Sequence, residues 1–295
     1  MDFERHNRRQ IEMLNQRGGR TLSIVDLIQA GTITVPMAAC AMRAVHEGAS
    51  ILTGARPGGA GKTTLLAALL NFLPPGEEIV TVDGPEVLDE AAAALPEPAA
   101  LTLTLSQRER GPDSAPTPEG ERFCYLVYEI GSGNWYGYLW GQDVARYLGL
   151  VGGSRRIASC LHADTPEELT GILCSPVLGV TREALGGVGL ILFMHVSRDA
   201  GGMRRRVATV YEADGRGAHR LMFAWDLHSD TFRQTAEPRD PQGLKRYADF
   251  IADLAHPKTS EVSKTSEVCG SGHAEAERVR RRVLAFYDRP VPGRL

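Results

Sequence analysis

The sequence has no long hydrophobic run. Its apolar stretches are all shorter than the roughly 18 to 20 residues that a membrane-spanning helix needs. The first residues, MDFERHNRRQIEM, are polar and lack the apolar segment of a secretory signal peptide. These absences argue against a membrane-spanning or secreted chain, and we expect a cytoplasmic protein.

Cysteines are few, and their spacing fits no metal site. No two of them form the C-x-x-C pair that zinc sites and redox motifs use. The five cysteines are Cys40, Cys124, Cys160, Cys174 and Cys269. The sequence therefore supports neither a zinc site nor a disulfide framework, and we expect buried or idle thiols.

Charge of one sign is not in excess, because 33 Lys and Arg residues nearly balance 36 Asp and Glu residues. A basic stripe with interleaved aromatic residues is also missing, so we predict no nucleic-acid partner. With 43% hydrophobic residues the composition is that of a globular protein, and 295 residues is near the upper end of what one core organises. We expect one large domain with short appendages.

Short apolar segments alternate with helical segments along the chain. Apolar positions recur at helical spacing in 24–47, broken by a turn at Gly31 and by Pro36, which predicts two helices. Strands are predicted at 49–53, 78–83, 123–129, 157–161, 189–194 and 206–211. This alternation predicts an α/β fold with a mostly parallel central sheet flanked by helices, plus a small helical C-terminal part at 244–254 and 275–287.

Changes in composition suggest the domain boundaries. Residues 1–20 are polar and arginine-rich and predict a tail or a short helix, and 21–235 form the α/β domain. Within it, 91–122 is predicted to be a disordered insertion, since LTLTLSQRERGPDSAPTPEGER resembles the translation of a dispersed bacterial repeat element. Residues 236–295 predict a helical C-terminal region with a low-complexity linker at 256–273.

A glycine-rich loop between a predicted strand and a predicted helix carries the strongest signal. It lacks only the first glycine of the pattern G-x-x-x-x-G-K-[ST], a position that Arg56 occupies. The glycines let backbone N–H groups approach phosphate oxygens, and the helix presents its positive end to the same charge. The candidate phosphate-binding residues are Pro57, Gly58, Gly59, Ala60, Gly61, Lys62, Thr63 and Thr64.

Two residues of this loop have separate predicted roles toward ATP and Mg²⁺. Lys62 would neutralise the β- and γ-phosphates, and Thr63 would offer its hydroxyl to Mg²⁺. The alternative is a glycine-rich turn in which Lys62 caps carbonyls or is solvated, but the order strand, loop, helix favours the phosphate site. For Arg56 three interpretations stay open: it bends the start of the loop, contacts nucleotide, or is a harmless surface residue.

Three acids follow predicted strands. Glu129 closes the apolar run 123–129, on a strand expected to be adjacent to the strand of the loop. It is our candidate to position either Mg²⁺, through a water molecule, or the attacking water. Asp83 and Glu86 follow the strand 78–83 and are candidates for a general base. Each has a plainer alternative, an ordinary acid at a strand end for Glu129 and a helix cap for the other two.

His162 lies where another predicted strand ends, in CLHADTPEEL, and Thr165 can cap the helix that follows. This places the imidazole at the carboxyl edge of the sheet, where it can take part in catalysis. A lone histidine at such an edge is also commonly a structural residue.

Several segments together resemble the type II/type IV secretion ATPase family, especially the branch that serves Flp-type pili and archaeal-type secretion motors. GGAGKTT matches its Walker A loop, IVTVDGPEV its Asp box, YLVYEIGSG its Walker B strand and LHADTPEEL its His box. Further similar segments are LSIVDLI, SRDAGGMRRRVATVYE and MFAWDLHSDTF. The resemblance covers residues 20 to 290 and only the motor domain of the family.

The resemblance implies a RecA-like P-loop ATPase that couples ATP hydrolysis to protein export or pilus assembly. It implies Glu129 as the Walker B carboxylate, His162 as γ-phosphate sensor and Asp83 or Glu86 near the attacking water. It also implies a homo-oligomer, a hexameric ring, attached to the cytoplasmic membrane through an inner-membrane platform protein.

The chain also departs from the family pattern. The arginines that the family carries before Walker B have no placed counterpart in this sequence, since Arg108 and Arg110 fall in the predicted insertion. A catalytically weak nucleotide-binding paralogue with a regulatory or structural role is therefore the alternative function. A DNA-translocating or recombination-type ATPase is less favoured, because no basic stripe accompanies the core.

Overall fold

A computed structural model describes residues 3–15, 21–94, 121–133, 135–199, 202–256 and 272–289. The helices are α1 Phe3–Met13, α2 Ile24–Gln29, α3 Val35–His46, α4 Lys62–Leu70, α5 Pro85–Ala93, α6 Asp143–Leu148, α7 Pro166–Leu173, α8 Arg182–Gly186, α9 Pro241–Ala255 and α10 Gly272–Tyr287. The strands are β1 Ile51–Gly54, β2 Glu77–Thr81, β3 Arg122–Ile130, β4 Tyr138–Leu139, β5 Arg155–Leu161, β6 Leu190–Asp199, β7 Gly202–Ala213, β8 His219–Asp226 and β9 Thr231–Gln234. Within the described ranges, no helix is long and apolar enough to cross a bilayer.

The strands form one mixed sheet in the order β2-β3-β5-β1-β6-β7-β8-β9, with β4 paired to β3. Strands β2, β3, β5, β1 and β6 are mutually parallel. Strands β6 to β9 continue the sheet as antiparallel neighbours. The prediction of an α/β fold with a largely parallel sheet is confirmed, and the antiparallel half extends it.

The sheet is central because its inner strands are apolar on both faces. All four residues of β1 are buried, and so are six of the seven residues of β5. One face packs against α1 to α4, α9 and α10, through residues such as Met37 and Ile251. The other face packs against α5 to α8, through residues such as Tyr147 and Leu169. Strands buried on both faces read as continuous apolar runs, which is why the sequence reveals them.

The two predicted helices in 24–47 are α2 and α3, and local chemistry sets their starts. Ser23 caps α2 reciprocally with Asp26: the Asp26 N–H donates to Ser23 Oγ at 3.3 Å, and the Ser23 N–H donates to Asp26 Oδ2 at 2.8 Å. Helix α3 starts with a proline in its first turn, where no N–H is needed.

The predicted insertion and linker fall mostly outside the described residues. Helix α5 extends to Ala93 and β3 begins at Arg122, so the described chain reaches inside both edges of the predicted insertion 91–122. Most of the predicted linker, 257–271, also lies outside the described ranges. On either side of it, α9 and α10 belong to the same core as the sheet.

The amino-terminal segment, 1–20 in the sequence-based division, contains a packed helix, so a bare polar tail is wrong and a short helix is right. Helix α1 buries Ile11, and Leu14 just after it, in the core. Asn7 is also buried, and its amide mimics a neighbouring strand: Nδ2 donates to the Glu77 carbonyl at 2.7 Å, and Oδ1 accepts from the Ile79 N–H at 2.8 Å. The helix thereby satisfies backbone groups on β2, the edge strand.

We predict that Asn7→Ala destabilises the fold, because it leaves two buried backbone groups of β2 without partners. The expected loss of unfolding free energy is about 2 to 4 kcal/mol, measured by urea denaturation. Arg9→Ala, on an exposed position of the same helix, is the control and should change stability by less than about 0.5 kcal/mol. Equal stability of the two variants would contradict the role given to Asn7.

Candidate functional site

The glycine-rich loop lies between β1 and α4 and is shaped by left-handed glycines. Gly59 has φ +80° and Gly61 has φ +101°, values that side chains with a Cβ rarely adopt. A side chain at position 61 would also come within 3.2 Å of the Met194 methyl carbon. The Ala60 N–H donates to the Pro57 carbonyl at 3.3 Å and closes the turn.

Helix α4 begins directly after the loop, and Lys62 is its first residue. Gly61 occupies the N-cap and supplies no side-chain hydrogen bond to the first N–H groups of the helix. Lys62 is 6% exposed and its Nζ donates to the Ala55 carbonyl at 3.1 Å. Thr63 and Thr64, half-buried, line the cleft beside the loop.

His162 lies between Lys62 and Glu129. Its Nε2 is 2.7 Å from Glu129 Oε1, and its Nδ1 is 2.7 Å from the carbonyl oxygen of Arg56. Both partners are hydrogen-bond acceptors, so a ring nitrogen that carries a proton can donate to the partner that faces it. Lys62 Nζ lies 3.3 Å from His162 Nδ1 and 3.9 Å from Glu129 Oε2. The three predicted side chains therefore form one cluster at the carboxyl edge of the sheet.

The strand that carries Glu129 is not adjacent to the strand of the loop, and the expectation of adjacency is wrong. Strand β5 lies between β1 and β3 and pairs in parallel with both. His162 follows β5 directly, so the intervening strand brings the imidazole between the lysine and the carboxylate. Sequence order cannot reveal this, because β5 comes after both other strands in the chain.

Asp83 and Glu86 lie away from this cluster. Neither belongs to the described residues that line the cleft. Asp83 is exposed and lies near Tyr128, whose pKa burial raises to about 12, with the charge of Asp83 adding to the rise. Glu86 is in the first turn of α5, and its side chain folds back onto Gly84, the N-cap of the helix. A Cβ added to Gly84 would lie 2.1 Å from Glu86 Oε1. Its carboxylate therefore lies over the helix start, as in the capping alternative.

Sequence reasoning missed the arginines of β7, which line the cleft opposite Lys62. Arg205 Nε donates to the Gly59 carbonyl at 3.1 Å. Arg204 and Arg206 instead bind Asp230, and Arg206, with the Trp225 N–H, lowers the pKa of that carboxyl to about 2. Alternation of side chains along a strand separates Arg205 from its two neighbours. Three consecutive arginines, 204–206, that lead into the strand predicted at 206–211 were the available signal.

The cleft has a volume of about 770 Å³ and a lining that is both polar and apolar. The glycine loop, Lys62 and the arginines of β7 form its polar, basic lining. Leucines from the amino-terminal helices and their flanking residues contribute apolar lining: Leu14, Leu22 and Leu27. A ligand with an anionic part and an apolar part fits this lining.

The aromatic residues after β3 are mostly exposed. Trp135 is 71% exposed, Tyr136 48% and Trp140 43%. These three side chains are therefore not part of the buried core of this chain. Tyr138, in β4, does line the cleft.

Comparisons with known proteins give one kind of match. No family model matches the sequence. A comparison with curated proteins likewise found no matching protein. Among solved structures, the chain is similar to the VirB11 ATPase of the Brucella suis type IV secretion system, solved in complex with sulphate.

The extent of this likeness is limited. Sequence identity is 19% and the TM-score is 0.37. The match covers 72% of this chain, and the chain spans 62% of the length of the Brucella protein. At this level the likeness concerns the fold alone.

We predict that Gly61→Ala destabilises the protein by about 1 to 3 kcal/mol, because alanine is strained at positive φ. The measurement is the thermal unfolding midpoint. Gly171→Ala is the matched control, since Gly171 is exposed in α7 and a Cβ there meets nothing within 4 Å. That control should leave stability unchanged or raise it by up to about 1 kcal/mol. A neutral Gly61→Ala would contradict the loop geometry.

Proposed function

We propose that the chain is a P-loop ATPase with a RecA-like core, which binds ATP with Mg²⁺ and hydrolyses it. The observation that carries the proposal is the buried Lys62 ammonium at the start of α4, within 4 Å of both His162 and Glu129. A buried lysine beside left-handed glycines and a helix start is an arrangement suited to terminal phosphates.

The mixed lining of the cleft suits the two parts of a nucleotide. The N-terminus of α4, Lys62 and Arg205 supply positive charge for the phosphates. Apolar side chains such as those of Leu22 and Leu27 suit a base. A volume of about 770 Å³ falls within the range of small-molecule sites.

The residues present fit Mg²⁺ and hydrolysis. Thr63 and Glu129 offer oxygen atoms to the same cleft, and oxygen ligands are what Mg²⁺ prefers. The described residues contain no group of three or more His, Cys, Asp and Glu side chains that could hold a metal ion. An ion held mainly by phosphate and water needs none. His162, bound to Glu129, would sense the γ-phosphate and orient the carboxylate.

A catalytically weak, regulatory or structural paralogue is the second candidate, and one observation favours it. Among the described residues that line the cleft, Glu129 is the one acid. Since Asp83 and Glu86 lie elsewhere, Glu129 would have to serve the metal and also activate water. Binding without efficient turnover is the behaviour expected of such a site.

The secretion role is proposed from the sequence motifs, above all LHADTPEEL and the Walker A and B segments. On this proposal the chain is a motor subunit of a secretion or pilus-assembly system, works as a hexameric ring and docks on an inner-membrane platform protein. Nucleotide-dependent rotation of subunits would then drive movement. The particle mass with and without ATP and Mg²⁺ tests the ring.

The decisive test compares ATP binding and turnover in two variants. Lys62→Ala should weaken ATP binding by about 10- to 100-fold in calorimetry, because a charged hydrogen bond to phosphate is lost. Glu129→Gln should bind ATP but hydrolyse it on the order of 100-fold more slowly. Lys245→Ala is the control, because Lys245 is exposed in α9.

The outcomes separate the two candidates. Measurable turnover in the wild type that is lost in Glu129→Gln supports the ATPase. Tight binding with no wild-type turnover supports the weak paralogue. If the wild type releases no heat with ATP or ADP plus Mg²⁺, both candidates fail.

Arg205→Ala should lower ATP affinity by about tenfold, since its guanidinium lies beside the glycine loop, where the proposed function places the phosphates. Arg233→Ala, exposed on β9, removes the same charge elsewhere and should bind ATP as the wild type does. Equal affinity of the two variants for ATP would show that Arg205 does not contribute to the binding site. Nucleotide titration by fluorescence or calorimetry decides between these outcomes.

A further inference from the structure

Arg56 lies where the phosphate-loop pattern has glycine. Its backbone N–H, its carbonyl oxygen and its guanidinium each contact another residue. Its backbone N–H donates to Asp164 Oδ1 at 2.7 Å. Its carbonyl oxygen is 2.7 Å from His162 Nδ1. Its guanidinium Nε and one terminal nitrogen both lie 2.5 Å from Glu168 Oε1. Of the three earlier interpretations, a harmless surface residue does not fit these contacts.

The partners of Arg56 are joined to one another, so the contacts form a closed network. Glu168 uses its second carboxylate oxygen to accept the Asp164 N–H at 2.9 Å. The Glu168 N–H donates to Thr165 Oγ1 at 3.2 Å, the N-cap of α7. The first turn of α7 is thus fixed to the start of the phosphate loop through one side chain.

This network lies beside the cluster of Lys62, His162 and Glu129. His162 is held through the carbonyl of Arg56 on one side and through Glu129 on the other. Glycine at position 56 would keep the two backbone contacts and lose the guanidinium. The side chain therefore adds a tie that the ordinary loop pattern does not contain.

We propose that Arg56 and Glu168 form a clamp that locks the start of the phosphate loop to the turn carrying His162. Arg56 is a positioning residue that acts through His162 and does not itself touch the nucleotide. This inference rests on the proposed ATPase function for its effect on catalysis, but the clamp itself is a property of the chain alone.

The chemistry of the pair explains how the clamp responds to conditions. Arg56 lowers the pKa of the Glu168 carboxyl, so the pair stays ionised at neutral pH. The Arg56 side chain is 67% exposed, so salt screens the contact. At 1 M ionic strength the screening length is about 3 Å, and the clamp should weaken there.

The test compares Arg56→Gly, Glu168→Gln and the double variant with the wild type, all as full-length protein. Glu167→Gln is the matched control, because Glu167 is exposed in the same helix turn and has the same charge toward the helix start. Amide hydrogen exchange without nucleotide is measured for 55–61 and 162–169. ATP turnover is measured at low and high NaCl.

The clamp predicts faster exchange in both segments for Arg56→Gly and Glu168→Gln, and wild-type exchange for the control. It predicts that kcat is lower by about 3- to 10-fold and that KM changes less than about twofold. The reason is that loss of the clamp changes the position of His162 more than the binding of ATP in the ground state. The double variant should be no worse than either single variant. Wild-type kcat should approach that of the variants at 1 M NaCl.

Unchanged exchange in Glu168→Gln, or additive losses in the double variant, would overturn the clamp. An effect of Arg56→Gly alone would also overturn it, because the new glycine would then be the cause. If wild type neither binds nor hydrolyses ATP, the proposed function fails, and hydrogen exchange alone decides the clamp.

Discussion

The candidate site depends on one constraint, the position of β5 between β1 and β3. Parallel strands end at the same edge of a sheet, so the residues that follow β1, β5 and β3 meet there. Lys62, His162 and Glu129 come within 4 Å of one another although 100 residues separate the first from the second. Gly54 permits this approach, since a Cβ there would lie 2.6 Å from the Ala163 carbonyl.

The parts of the site that follow buried strands could be predicted from the sequence. Strand β1 leads into the glycine loop, β3 carries Glu129 as its last residue but one, and β5 ends just before His162. Each is signalled by a continuous apolar run closed by a polar residue, because strands covered on both faces exclude polar side chains. The loop itself is readable because only glycine suits the left-handed conformations at 59 and 61.

The parts that depend on long-range packing could not be predicted. Arg205 reaches the loop only because β6 pairs with β1 and β7 folds back on β6. Helix α1 looks like a polar tail, since much of its attachment is polar, as in the contacts of Asn7 with β2 and of Glu4 with Arg280, and Ile11 is the apolar residue that it buries. Asp83 looks like Glu129 in the sequence, yet β2 lies at the sheet edge, beyond β3 and β5 from the loop.

The charges of the cluster bear on what a phosphate would change. Glu129 lies 2.7 Å from His162 and 3.9 Å from Lys62, so one carboxylate faces both groups. Under the proposed function, an incoming phosphate competes with Glu129 for the same two partners, and its greater charge favours it at the lysine. Glu129 would then be released toward water while His162, fixed by the Arg56 carbonyl at 2.7 Å, stays in place. The contact with the Arg56 carbonyl is thus what would keep His162 in position when the carboxylate moves.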